Sequence, residues 1–431
     1  MLHERPAPGC TGGQPFLPGT GGSEHFRIPA LAALEDGTLM TACDARWDHW
    51  GDGGGLDTLV SVSRDGGNTW HYSFPNYLGD NGNCLNVLST AFIDPALATD
   101  GKRVWMLVDL YPAAIALNTA RYRPVPGGNG FDEAGRLRLR AVDPVPIGEE
   151  GYGEAAAQAD YPYSLDLKTM ELYPPLEGYQ VSPFFDIRDA DGYLTNLFCA
   201  DSPLRVYPTN YLYLTYSDDG GRHWSAPELL DLKREGEESF LVGPGAGAVR
   251  GDHLIFSAYE HTRGFERACL IWSDGKGWHR SENATLDTWS SEGAPVALPD
   301  GTVRLFYRDG FETVRYTDYH FSGENYVPTA MEQVTDAPKT ARNQLSAVRV
   351  GERIFLSTAT GKDMRREKGV VHVFRLEEVG MTLEQTVPIT DGHYAYSAIA
   401  ALPEGRLGLL YECAGSEIRY ITIPLGSEES C

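Results

Sequence analysis

Apolar residues along this chain recur in short runs that alternate with polar positions and stop at Gly, Asp or Asn. That is the pattern of strands joined by tight turns. Early runs lie at 31–34, 38–43, 58–63 and 104–110. Later ones lie at 211–216, 253–259, 268–272, 303–307, 313–316, 353–357, 370–374, 407–411 and 418–423. The pairs Asp36-Gly37, Asp300-Gly301 and Gly351-Glu352 punctuate them as turns. No long segment sustains a helical period, and 288–290 is expected to form at most a short helical turn. The pattern predicts an all-β fold.

Two copies of one short pattern, 63-SRDGGNTW-70 and 217-SDDGGRHW-224, follow strand-like runs. Each reads Ser-x-Asp-x-Gly-x-x-Trp. The Ser and Asp can hydrogen-bond turn backbone, the Gly supplies a positive φ, and the Trp buries itself in the sheet. A repeated hairpin of this kind argues for sheet modules stacked around an axis, as in a β-propeller. Weaker copies lie at 273-SDGKGW-278 and around 317–326. Later repeats fall every ~45–55 residues, a four-strand module, whereas Ser63 and Ser217 are 154 residues apart. The excess predicts a small β-rich insertion at 113–202, with 1–112 and 203–431 forming the propeller. The insertion includes 152-YGEAAAQADY-161 and a strand pair around 189–192.

Composition narrows the function. With 431 residues and 42% hydrophobic content the chain can bury a substantial core. The formal net charge of −24 repels nucleic acid and anionic membranes, and no apolar run is long enough to span a bilayer. Any anion site must therefore rest on locally clustered Arg. Seven Cys without a CxxC pair suggest neither a metal knuckle nor a disulfide framework. The first residues, MLHERPAPGCTGGQPF, lack the apolar core of a signal peptide. A cytoplasmic location, or export with the signal already removed, are both compatible with this.

Against that background 25-HFRIPAL-31 becomes informative. Alone, Arg27 beside Ile-Pro would be explained as readily by a structural ion pair. With the repeated hairpins downstream, the chain resembles the bacterial exo-sialidases of glycoside hydrolase family 33, whose Arg-Ile-Pro motif opens the catalytic domain and whose repeated hairpin is the Asp-box. The resemblance continues in order through nearly the whole chain and implies a six-bladed β-propeller. In 44-DARWDHWGDGGGLDT-58 it places the acid/base at Asp52 and a sugar-contacting Arg at Arg46. In 92-FIDPAL-97 it places Asp94 on the N-acyl and 4-hydroxyl side. The stretch 196–225, followed by 242-VGPGAG-247, is similar to the larger bacterial members that carry an insertion.

Downstream, 291-SEGAPVALPDGTVRLFYRD-309 supplies Glu292 and Arg308. In 357-STATGKDMRREKGVV-371 the resemblance implies a third Arg, and the family's Arg-x-x-Gly spacing favours Arg366 over Arg365. In 393-HYAYSAIAALPEGRLGLLYE-412 the family's Tyr-Ser pattern favours Tyr396 over Tyr394, and Glu412 follows.

These residue types suit the implied chemistry. Sialic acid carries a carboxylate on its anomeric carbon, and Arg27, Arg308 and Arg366 can hold it with forked, charge-assisted hydrogen bonds. The resemblance gives Glu412 the role of keeping Arg27 oriented. A carboxylate nucleophile would be repelled by that substrate; a neutral phenol is not, and sialidases are a known Tyr exception among glycosidases. Tyr396 would attack with Glu292 as its base, and Asp52 would protonate the leaving oxygen and then activate water. Taken singly, each of these acids reads as a solvated turn residue, and Trp47 and Trp50 as packing; the ordered set is what counts.

The implied activity is exo-α-sialidase acting on sialylated glycans, with no cofactor and no metal, and a monomer is expected. A structural Ca²⁺ has no EF-hand-like loop to occupy. Three alternatives stand beside this reading. One is an intramolecular trans-sialidase releasing 2,7-anhydro-sialic acid. Another is a glycosidase for a related 2-keto acid sugar, and the third is a non-catalytic sialoglycan-binding propeller.

Overall fold

The computed structural model describes residues 5–47, 49–78, 88–115, 128–329, 332–333, 340–403 and 405–425. Strands and turns make up nearly all of them, with one α-helix, Tyr152–Gln158, among the described residues. The fold is all-β. The strands His25–Ala33, Leu39–Arg46, Leu56–Ser63 and Thr69–Asn76 pair antiparallel in chain order. The same meander recurs from Ser290–Ala297 to Tyr326–Pro328, from Ser346–Val350 to Met381–His393, and from Ser397–Leu402 to Ile418–Pro424. Short polar turns between apolar strands dictate this local pairing.

The leading strands have two unlike halves. Their later residues, 31–33, 97–99, 295–297, 347–349 and 399–401, together with 246–249, line a cavity of about 270 Å³. Ala and Gly supply much of that lining, and small side chains let the backbones approach. Their first residues break register, between Arg27 and Ala30, Ile93 and Ala96, and Ser290 and Gly293. Pro29 and Pro95 lie at two of these breaks, where they have no ladder hydrogen bond to donate. Ile28 and Asp94 there take φ of 60° and 63°, rare for side-chain-bearing residues. Such bulges bend a strand and re-aim its side chains.

The two repeated hairpins lock as their sequences predict. Ser63 Oγ accepts the Gly67 amide at 2.8 Å, and Asp65 Oδ1 accepts the amides of Asn68 and Thr69. Ser217 and Asp219 repeat this with Gly221, Arg222 and His223. Gly67 has φ 95°, and a Cβ there would lie 2.3 Å from the Tyr420 ring, so no other residue fits. Trp70 is fully buried against Tyr420, and truncating such a side chain typically costs about 3–5 kcal/mol.

The strand Val104–Tyr111 pairs along its length with Tyr211–Ser217. Between them the chain makes an excursion that contains a four-stranded and a three-stranded sheet. Its Leu137, Leu139, Ile187 and Leu197 join the same apolar cluster as Phe92, Val108 and Tyr211. Two local expectations are corrected here. The stretch 152-YGEAAAQADY-161 opens as a helix, because three alanines behind Glu154 favour one locally. No helical turn forms at 288–290. Ser290 instead begins a strand, its hydroxyl accepting the Ala268 amide at 2.9 Å.

Candidate active site

The bulged strand starts gather the charged residues. Tyr396 lies just ahead of Ser397–Leu402, and its hydroxyl donates to Glu292 Oε1. Arg308 Nη1 donates to Glu292 Oε2 at 3.0 Å and to the Tyr396 hydroxyl at 3.3 Å. The guanidinium carbons of Arg27 and Arg366 stand 5.3 and 5.2 Å from the Tyr396 ring centroid. Three guanidiniums from distant stretches thus surround one phenol paired with one carboxylate.

Glu412 ties this group together. Its Oε1 lies 3.3 Å from Arg27 Nε and accepts the Ile28 amide at 2.7 Å. The positive φ of Ile28 therefore has a local use: the bulge frees that amide from the ladder and turns it to the carboxylate. Arg27 Nη1 also stands 3.8 Å from Asp52 Oδ1.

Arg46 laces the loop that carries Asp52. It donates to Asp52 Oδ1 at 2.6 Å, to Asp44 Oδ2 at 2.8 Å, and to the carbonyls of Trp50 and Gly51. Its side chain has no exposed surface, so any ligand contact requires the loop to move. Asp52 is about one-third exposed. Asp94 is buried, and its amide donates to Asp44 Oδ1 at 3.0 Å.

Electrostatics follow from this packing. Burial and then Glu292 push the Tyr396 phenol well above its ordinary pKa, against the pull of Arg308, Arg27 and Arg366. Tyr396 is therefore neutral and depends on Glu292 to take its proton. Burial, with Asp44 and Glu292 close by, raises the Asp94 carboxyl strongly. Asp44 is raised to about 6, burial outweighing Arg46.

The two ambiguous pairs separate by position. Arg365 points outward to the Lys362 carbonyl and Glu367, whereas Arg366 faces Tyr396. Tyr394 is fully buried, its hydroxyl on Ser357 and its ring stacked on Tyr411.

Sequence reasoning missed several supporting residues. Asn343 Nδ2 donates to the Ala395 carbonyl at 2.5 Å, and Gln344 Oε1 accepts the Ser397 amide at 3.1 Å. Together they clamp the peptide on either side of Tyr396. Asp44 is two residues before Arg46, and only that alternation hints in the sequence at a shared face. Arg308 and Arg366 also border a cavity of about 440 Å³. Among the described residues no group of three or more His, Cys, Asp or Glu is placed to hold a metal ion.

Several known proteins are similar to this chain. The chain is 28% identical over 451 residues to the anhydrosialidase of the leech Macrobdella decora, covering 90% of this chain and 58% of that protein. It is 27% identical over 436 residues to sialidase B of Streptococcus pneumoniae, covering 90% and 62%. The chain therefore spans about three-fifths of the length of these curated relatives. No family model matches. The fold superposes with a TM-score of 0.75 on the intramolecular trans-sialidase of Ruminococcus gnavus, at 23% identity, covering 94% of this chain and 95% of that one. The chain is similar to sialidases along nine-tenths of its length. Its all-β, propeller-type fold is shared with that solved structure, and the cluster around Tyr396 is the natural place to look for its chemistry.

Proposed function

We propose that this chain is an exo-α-sialidase that releases terminal sialic acid from sialylated glycans with retention, through a Tyr396–sialyl intermediate. The single observation that carries this is the Tyr396 hydroxyl bonded to Glu292 within a ring of Arg27, Arg308 and Arg366. A module that only binds a carboxylate needs the arginines but not a phenol paired with a base.

In this reading Arg27, Arg308 and Arg366 take the substrate carboxylate by charge-assisted hydrogen bonds. The Tyr396 oxygen forms a bond to C2 as its proton passes to Glu292, and the C2–O bond to the leaving sugar breaks. Asp52 gives that oxygen its proton. Water then enters at C2, Asp52 accepts its proton, and Tyr396 leaves, recovering its own proton from Glu292. Arg46 sets the reach of the Asp52 loop and meets the sugar once that loop shifts; Asp94 faces the N-acyl and 4-hydroxyl side. Glu412 holds Arg27 in register. No cofactor enters any step.

A second reading draws on the relatives themselves, one an anhydrosialidase and one an intramolecular trans-sialidase. There the sugar's own 7-hydroxyl replaces water at C2 and yields 2,7-anhydro-sialic acid. Product NMR with the parent protein and Tyr396→Phe separates the outcomes. Free sialic acid supports the hydrolase, the anhydro sugar alone supports the second reading, and full turnover by Tyr396→Phe overturns both.

The same proposal includes a monomeric six-bladed propeller formed by 1–112 and 203–431, with 113–202 as the insertion. Six separate segments around the 270 Å³ cavity support the blade count. In the ten-stranded sheet only the Leu56–Ala91 pair links Leu56–Ser63 to Ala91–Thr99, consistent with two adjoining blades.

A further inference from the structure

We propose that the 440 Å³ cavity beside the arginine cluster is a second anion subsite, in which Arg342 reads a carboxylate or sulfate on the sugar that leaves. The inference rests on the sialoside-cleaving reading above and extends it to a substrate class. The cavity is walled by Trp289, Arg308, Arg342, Met364 and Arg366. Its volume lies within the ~300–1,000 Å³ range of ligand clefts.

Its place follows from the chemistry of the substrate. The anomeric carbon of sialic acid bears both the carboxylate and the leaving oxygen. A space that begins at two guanidiniums holding the carboxylate therefore adjoins the leaving sugar.

Its charge is unusual for this protein. Some arginines elsewhere are closely matched, as Arg304 is to Asp318 at 2.7 Å and Arg267 to Glu260 at 2.5 Å. Arg342 has only Glu312 at 3.8 Å and the Met364 thioether at 3.5 Å, a weak acceptor. The Nε atoms of Arg308 and Arg342 are buried without a hydrogen-bond partner. Arg366 has no ion-pair partner among the described residues.

Three guanidiniums with unmet donors in one cavity, on a chain of net charge −24, make a local positive well in a negative surface. Arg342 also takes a φ of 48°, a left-handed conformation that side-chain-bearing residues rarely adopt without a reason. The next two residues, Asn343 and Gln344, grip the Tyr396 segment, so Arg342 is fixed relative to the nucleophile. Trp289 and Met364 add apolar wall against which the C–H face of a pyranose can lie.

The test compares kcat/KM on three glycans that share a terminal sialic acid. The leaving group is a second sialic acid, a sulfated lactose, or neutral lactose. In Arg342→Gln the charged-to-neutral ratio should fall about tenfold, the loss of one charge-assisted contact, while Arg342→Lys keeps most of it. High salt should erode the parent's ratio. A fall confined to the disialyl glycan assigns a carboxylate, and one confined to the sulfated glycan assigns a sulfate. An unchanged ratio for both overturns the subsite. Calorimetry with the same glycans on Tyr396→Phe reads the affinity ratio without turnover. A parent that cleaves none of them sinks the reaction alone, whereas an affinity ratio indifferent to Arg342 sinks the subsite.

Discussion

Asp65 and Asp219 of the outer hairpins and Asp44, Asp94 and Asp109 of the interior are the same chemical group driven in opposite directions. Hydrogen bonds from the Thr69 hydroxyl and amide hold exposed Asp65 down to about 2. Slight burial works to raise Asp219, but bonds from His223 outweigh it and leave it at about 2. Asp109, beneath the site, is pushed up to about 7 by burial, although the Val242 amide and Asn210 both donate to it. The hairpin acids are bound by donors within four residues and remain in water. Asp44, Asp94 and Asp109 have lost water and act on one another. Local backbone donors stabilise charge cheaply, whereas a crowded, dry site makes protons hard to remove.

The largest expected effect breaks the site side of this contrast. Glu292→Gln keeps the shape and a hydrogen-bond acceptor but removes the base that Tyr396 relies on. Turnover of a fluorogenic sialoside should fall about 10²–10⁴-fold, with the fold intact by circular dichroism. Parent-like turnover would remove Glu292 from the mechanism.

The next effect concerns stability. Asp109 has a folded pKa of about 7 against about 3.9 for an unfolded Asp. Between those values the folded chain binds a proton that the unfolded chain has released, so its contribution to stability is lost as pH rises from about 4 to about 7. The full loss is on the order of a few kcal/mol. Asp109→Asn should flatten the fall in Tm across that window. An identical slope in parent and variant would show that Asp109 does not titrate there.

These residues also mark what was legible in the chain. Ser63, Asp65, Gly67 and Trp70 satisfy one another across seven positions, so the hairpin lock could be read directly. Arg27, Glu292 and Tyr396 could be read only by resemblance, because their partners lie far away: 384 residues separate Ile28 from Glu412, and 104 separate Tyr396 from Glu292. Asn343 and Gln344 resemble ordinary loop residues, and nothing local points to the carbonyl and amide they hold 52 and 53 positions on. Arg46 was foreseen as a residue of the site but not as a wholly buried strut. The helix at Tyr152–Gln158 was overlooked because seven residues are too few for a helical period to stand out.

A smaller effect sharpens the role of those distant clamps. Asn343→Ala removes the donor to the Ala395 carbonyl while leaving every charged group in place. The nucleophile then loses its fixed approach, and kcat should drop about tenfold with KM little changed, since misplacement of even an ångström is costly. A rise in KM at constant kcat would instead place Asn343 in binding.

The smallest effect belongs to the hairpin side and should leave chemistry alone. Ser63→Ala deprives the Gly67 amide of its acceptor and Asp65 of one donor. The buried amide left unpaired costs about 1–3 kcal/mol, visible as a lower urea midpoint at unchanged slope. The sign with pH is opposite to that of Asp109. Because Asp65 is held at about 2, its contribution is present above the unfolded value near 4 and lost as pH falls towards 2. The gap between parent and Ser63→Ala should therefore narrow at the lowest pH, where Asp65 is protonated in both, and keep only the pH-independent part set by the Gly67 amide. A sialoside kcat/KM reduced along with stability would mean that the outer hairpin transmits strain to the site, and that the two sets of carboxylates are not independent.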